Sequence, residues 1–209
     1  MALAACGSTP PPRPAPSEQP TVSGDLAQQG PYLPDAYLTV CNMSVSNRPV
    51  VNAAGQVKDF APLILVQDRV VLAAVPTNDA CVSSGFGPRF GRVHKGLDLQ
   101  SKPASMVFSG GPGVIREVNT QRGFGLQVLI DHGSGVYTRY AHLANVEPNI
   151  QPGARIGFGQ PIGLMGRSGN ATAIHLHYEI LVGGWGPRES YGLEATNPLA
   201  WPAYAPPAA

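Results

Sequence analysis

The 209-residue chain is poor in charge: 14 basic and 13 acidic residues leave a formal net charge of +1. That balance creates no field that would attract nucleic acid or an acidic polymer, so neither is expected as a partner. No apolar run approaches the roughly 20 residues that a membrane-spanning helix requires. Cysteine is scarce as well. Cys6, Cys41 and Cys81 are the only three, and none belongs to the CxxC pair of a thiolate zinc site. Convincing helical periodicity is missing too. Glycine and proline, by contrast, number 25 and 22, which suits short strands joined by many turns.

Residues 1–30 are expected to form a disordered tether rather than a core, because they hold "PPPRP" and little that is apolar. Leu3, Ala4, Ala5 and Cys6 resemble the lipobox of bacterial lipoproteins, in which the cysteine carries a lipid anchor. The five residues before Cys6 hold no basic n-region and no full h-region. The expectation of an anchor therefore rests on the lipobox-like residues and the tether that follows them. Residues 31–80 contain β-prone apolar runs, "AYLTVCNMSV" and "APLILVQDRVVLAAVP". They read as a β-rich N-terminal region, either a small subdomain or strands added to a larger sheet. With Cys6 set aside, Cys41 and Cys81 are a disulfide pair in an oxidising compartment or two separate buried thiols.

Residues 81–200 have a different texture. Segments such as "SMVFS", "GVIREV", "LQVLIDH" and "VYTRYAHL" alternate with the turns "SGGPG", "RGFG" and "HGSG". That spacing predicts an all-β fold, an antiparallel sandwich or barrel-sandwich hybrid. Residues 201–209 are left as a C-terminal tail.

All five histidines lie in this β region. In "IHLHYEI", residues 174–180, strand alternation puts His175, His177 and Glu179 on one face and Leu176, Tyr178 and Ile180 on the core face. In "RVHKGLDL", residues 92–99, His94 and Asp98 are four apart and share a face if the segment is one strand. Gly96 lies between them and leaves a gap for an ion, while Val93, Leu97 and the stem of Lys95 cover the other side. Two imidazole-bearing segments and a carboxylate have the N and O character of a catalytic zinc site with three protein ligands. Alternation alone does not say which histidines ligate. His132, before a Gly-Ser-Gly hairpin tip, reads as a solvent-tolerant turn residue. Glu179 reads as an exposed strand glutamate, with orientation of an imidazole as its functional alternative. Arg89 reads either as a surface ion-pair partner or as a groove residue able to grip a carboxylate.

Three stretches occur in order: "SSGFGPRFGRVHKGLDL", "GFGLQVLIDHGSGVYTRYAHL" and "GARIGFGQPIGLMGRSGNATAIHLHYEI". Together, across residues 83–198, they resemble the lysostaphin/LytM-type zinc metallopeptidases, which cleave peptide bonds in bacterial peptidoglycan. The resemblance implies Zn²⁺ ligands at His94, Asp98 and His177, and a catalytic pair at His142 and His175. It also implies a peptidoglycan peptide as substrate and a periplasmic or cell-envelope location. With a lipidated Cys6, that location becomes the outer membrane. A monomer is expected. The alternative within the same fold is a catalytically silent activator or binding protein that regulates other wall hydrolases. A lipoyl- or biotinyl-carrier reading of "VEPNIQPGARIGFGQPIGLMG" lacks the modifiable lysine at a hairpin tip.

Overall fold

The β-prone segments are strands in the computed structural model, which describes residues 32–89, 91–186 and 189–206. In chain order they are β1 (Thr39–Val40), β2 (Leu63–Val66), β3 (Val70–Ala73), β4 (Cys81–Ser84), β5 (Gly87–Arg89), β6 (Arg92–His94), β7 (Leu97–Gln100), β8 (Met106–Phe108), β9 (Gly113–Gln121), β10 (Gly125–Asp131), β11 (Val136–Leu143), β12 (Arg155–Ile156), β13 (Pro161–Leu164), β14 (Leu176–Val182) and β15 (Glu194–Thr196). Among the described residues a single 3-10 turn, Glu189–Gly192, is the sole helical element. The fold is all-β, as the turn-rich composition predicts. Cys6 and the Pro-rich tract lie outside the described residues.

The main sheet has nine strands in the order β1-β4-β7-β14-β11-β10-β9-β12, with β15 continuing along the β7 edge of β14. Its pairings are antiparallel except for β1 on β4. Three two-stranded sheets, β13-β8, β2-β3 and β5-β6, complete the fold. Strand alternation sorts the side chains as expected: Leu176, Tyr178 and Ile180 of β14 are fully buried in the core. Opposite them on the same core face are Val136 and Tyr140 of β11 and Leu97 and Leu99 of β7.

Residues 32–80 do not pack as a separate unit. Leu38, Val57, Ile64, Val66 and Leu72 belong to the same apolar cluster as the main-sheet residues, and β1 extends the main sheet. Cys41 and Cys81 are joined by a disulfide across 40 residues of sequence, fastening this region to β4 beside the β1–β4 pairing. In the chain-entropy view, closing such a loop stabilises the fold by roughly 4 kcal/mol.

Candidate metal centre

β14 is central in the sheet, and its outer face bears the chemistry. His177 is paired in register with Asp98 of β7. His94 reaches the same point from the last position of β6. The expectation that His94 and Asp98 share one strand is corrected here: they sit on consecutive strands, β6 and β7, which belong to different sheets. Lys95 and Gly96 make the break. A Cβ at Gly96 would collide with the Tyr178 carbonyl and stand 3.0 Å from His177 Cε1. The glycine thus lets this turn press against β14 rather than leaving an ion-sized gap. Val93, expected to cover the far face, is exposed.

The three donor atoms form a tight triangle. His94 Nε2 is 3.0 Å from Asp98 Oδ1 and 3.1 Å from His177 Nδ1, and His177 Nδ1 is 2.8 Å from Asp98 Oδ1. Donors about 2.0–2.1 Å from a tetrahedral zinc stand roughly 3.3 Å apart, so these separations match a shared ion. The far nitrogens fix the tautomers. His94 Nδ1 donates to the Gly85 carbonyl at 2.7 Å, and His177 Nε2 donates to Glu179 Oε1 at 3.1 Å. Both inward nitrogens therefore present lone pairs. When both rings are neutral, three acceptors thus converge in a buried spot, and a proton or a metal cation relieves their repulsion. Such a donor set fits a cation.

The electrostatics agree. When a proton stands in for the cation, burial still opposes charge on Asp98, but its hydrogen bonds with His177 and His94 prevail and hold its carboxyl well below the ordinary range. Burial likewise opposes charge on His177, yet hydrogen bonds to Asp98 and Glu179 push it up to about 9. The site favours one added positive charge.

Glu179 is fully buried, not exposed. Burial works against its charge, but its hydrogen bond with His177 and the charges of His177 and Arg139 keep the carboxyl low. Arg139 Nη1 meets Glu179 Oε2 at 2.6 Å, directly across the β11–β14 ladder, and its guanidinium lies 4.3 Å over the Phe124 ring. Arg139 was missed in the sequence; a lone arginine inside the β-prone run "VYTRYAHL" was the available signal. A carboxylate behind a ligating imidazole typically changes metal affinity by about 10–100-fold. Glu179→Gln is expected to weaken binding of a divalent metal ion by that order in a chelator competition. Unchanged affinity would leave Glu179 as a counter-ion for Arg139 alone.

His142 and His175 face the triad. Between Leu126↔Leu143 and Val128↔Tyr140 the β10–β11 register shifts, and His142 in this bulge has φ of 63°. Bulges of this kind redirect a side chain. Its backbone N–H donates to the Phe124 carbonyl at 2.8 Å, and its Nδ1 donates to the Ser168 carbonyl at 2.8 Å. His175 Nδ1 donates to the Ala173 carbonyl at 2.9 Å, leaving its Nε2 3.6 Å from Asp98 Oδ1. The two rings are 4.7 Å apart. Burial, reinforced by the charge of His175, lowers His142 to about 4, so it is a neutral base near pH 7.

A cleft of about 460 Å³ exposes this pair and is lined by Gly123, Phe124, Asn170 and Thr172. Residues 166–173 thus form a wall, and they are latched in place. The Leu126 N–H donates to Ser168 Oγ at 2.9 Å, Ser168 Oγ donates to the Leu143 carbonyl at 2.8 Å, and the Asn170 N–H donates to the Gly123 carbonyl at 2.9 Å. Gly125 and Gly169, both at positive φ, touch backbone to backbone where any Cβ would collide. Arg89 lines the same cleft, donating to Ser84 Oγ at 2.8 Å and pairing with Asp98 Oδ2 at 3.4 Å.

His132 is the one histidine outside this group. It is not solvent-tolerant: the ring is buried, its Nδ1 donates to the Pro112 carbonyl at 2.7 Å, and its Nε2 accepts from the Thr138 hydroxyl at 2.7 Å. Burial lowers it to about 4 from an ordinary 6.5. Between those values the unfolded chain binds the proton first. Stability present at neutral pH is therefore lost as pH falls, by roughly 3 kcal/mol from this group. Thermal unfolding from pH 7 to 4.5 should show a falling midpoint, with a shallower slope in His132→Gln.

Residues 92–187 match the model of Peptidase family M23. The peptidoglycan DD-endopeptidase ShyA of Vibrio cholerae serotype O1 is 35% identical over 126 residues, which cover 57% of this chain and 28% of that protein. The DD-carboxypeptidase/endopeptidase Mpg of Neisseria meningitidis serogroup B is 36% identical over 112 residues, 49% of this chain and 25% of that one. The matched region thus spans about a quarter of the length of these curated relatives. Among solved structures, the catalytic domain of the antimicrobial peptidase lysostaphin from Staphylococcus simulans aligns with a TM-score of 0.50 at 28% identity, covering 58% of this chain and 90% of that one. A zinc-containing peptidase from Vibrio cholerae aligns with a TM-score of 0.54 at 25% identity, covering 68% of this chain and 47% of that one.

Proposed function

We propose that this chain, whose residues 92–187 match the model of Peptidase family M23, is a zinc-dependent endopeptidase hydrolysing peptide bonds in bacterial peptidoglycan. The observation that supports this most is the convergence of three buried lone-pair donors, His94 Nε2, Asp98 Oδ1 and His177 Nδ1, beside two further imidazoles. In this reading those three side chains hold the metal. Two imidazoles and one carboxylate are the donor set of a catalytic zinc. Zinc held there would polarise a peptide carbonyl and make water a competent nucleophile near neutral pH.

The chain's own groups supply the rest. His142 and His175 each have Nδ1 committed to a backbone carbonyl, so each offers Nε2 for proton transfer. One accepts the proton of the attacking water; the pair returns it to the leaving amine and stabilises the developing oxyanion. Phe124 and the latched 166–173 wall keep an extended peptide close to these groups. Glu179 and Arg139 hold His177 from behind.

The domain assignment in this reading is a metallopeptidase domain over residues 81–200, preceded by the β-rich region 31–80 and followed by the tail 201–209. The Cys41–Cys81 disulfide suits an oxidising compartment, as does a periplasmic or envelope substrate. The lipobox-like residues around Cys6 suit attachment to the outer membrane, and a monomer suffices because every group invoked comes from one chain. Digesting purified sacculi with the zinc-loaded protein, with and without chelator, tests the function. Loss of cross-linked muropeptides, prevented by the chelator, is expected. Intact sacculi after digestion with zinc-loaded protein would overturn it.

A further inference from the structure

The groove has a second compartment. A cleft of about 550 Å³ shares His94 and His177 with the first and is bordered by Arg89, Arg92 and Lys95. The β5–β6 hairpin places these cations. Its register pairs Gly87 with His94 and Arg89 directly with Arg92. Residues opposite each other in an antiparallel pair share a face, and alternation puts Arg92 on the face of His94. Two like charges opposed across strands are destabilising. Nothing in the hairpin itself compensates.

The surrounding charges do not resolve this either. Arg89 leans on Asp98 at 3.4 Å, a carboxylate already committed to the triad. Among the described residues Arg92 and Lys95 form no ion pair. Among the described residues lining this cleft the only acidic one is Glu179, which is buried, held by Arg139 and His177, and felt by Lys95 without an ion pair. The 166–173 wall of the other compartment contributes uncharged Asn170 and Thr172. Arg89 lines both compartments, whereas Arg92 and Lys95 line this one and not the other, so the groove carries its surplus of positive charge at one end.

We propose that Arg92, with Lys95 and Arg89, forms a carboxylate-binding subsite that selects peptides carrying a free carboxylate close to the scissile amide, an assignment that rests on the peptidase reading. The opposed arginines then make sense: a carboxylate seated between them turns a repulsive pair into two charge-assisted contacts, for which the planar guanidinium fork is well shaped. The subsite also orients the substrate, because Arg92 and Lys95 stand at one end of the groove and not at the other.

The test uses the full chain, zinc-loaded, and a cross-linked stem peptide whose free carboxylates flanking the scissile amide are converted one at a time to carboxamides. In the wild-type protein, one amidation is expected to lower kcat/KM by about tenfold or more, the discrimination one charge-assisted contact carries. In Arg92→Gln/Lys95→Gln that acid-to-amide ratio should fall towards one, and in Arg92→Glu it should drop below one. Circular dichroism and zinc content are measured on each variant so that the ratio is read on folded, loaded protein. Equal cleavage of all derivatives by the wild type, or a ratio that survives both variants, overturns the subsite and leaves the peptidase reading standing. Failure of the zinc-loaded wild type to cleave any of the peptides overturns both.

Discussion

Replacing Asp98 or His177 with alanine is expected to strip the protein of zinc and of hydrolytic activity together. Each contributes one corner of a triangle whose sides are 2.8–3.1 Å, and two protein donors do not make a catalytic zinc site. The loss of affinity should exceed the roughly 100-fold that removing a supporting partner causes. Asp98→Ala also leaves Arg89 without its carboxylate, and His177→Ala leaves Glu179 without its imidazole. Some loss of stability should accompany both. Zinc content by atomic absorption, read beside cleavage of a peptide substrate, checks the claim. Retention of a full equivalent of zinc by either variant would mean the ion sits elsewhere.

The opposite dissociation is expected at His142 and His175. Alanine at either position should lower turnover by about 10²–10⁴-fold, the usual contribution of a positioned proton-transfer group, with zinc content unchanged. Both imidazoles are anchored through Nδ1 to carbonyls of the 166–173 loop. Because the rings lie 4.7 Å apart and would handle the same proton, the double variant should lose little more than the worse single one. His175 Nε2 approaches Asp98 Oδ1 to 3.6 Å, which makes His175→Ala the sharper test. If its zinc is lost, His175 is a ligand and the division of roles proposed here is wrong.

Strand alternation made part of this site legible. The period of two in "IHLHYEI" separates a core face from a polar face, and Leu176, Tyr178 and Ile180 are indeed fully buried. The same rule failed on "RVHKGLDL", because it assumes an unbroken strand. What breaks the strand is the contact of Gly96 with the β14 backbone, a long-range event without a local signature. Glu179 looked exposed for a similar reason: its partner Arg139 is 40 residues away and meets it only through the β11–β14 register. His132 was placed correctly beside a hairpin tip, but its ring turns inward to the Pro112 carbonyl. The left-handed backbone of His142 follows from a bulge, and bulges depend on how two strands meet rather than on either sequence. Local patterns thus disclosed which residues alternate; pairing decided which of them meet.

Both outermost strands of the nine-stranded sheet, β1 and β12, are only two residues long. A long, flat border would offer a row of unsatisfied amides to any passing chain, the usual seed of fibrillar stacking. Two residues present too short a template for that, but β12 pairs with β9 only at Gly113 and Val114, and among the described residues no strand pairs with that edge from Arg116 to Gln121. Along that stretch Arg116, Asn119, Thr120 and Gln121 are exposed, and a border bearing charged and polar side chains discourages a further strand from docking.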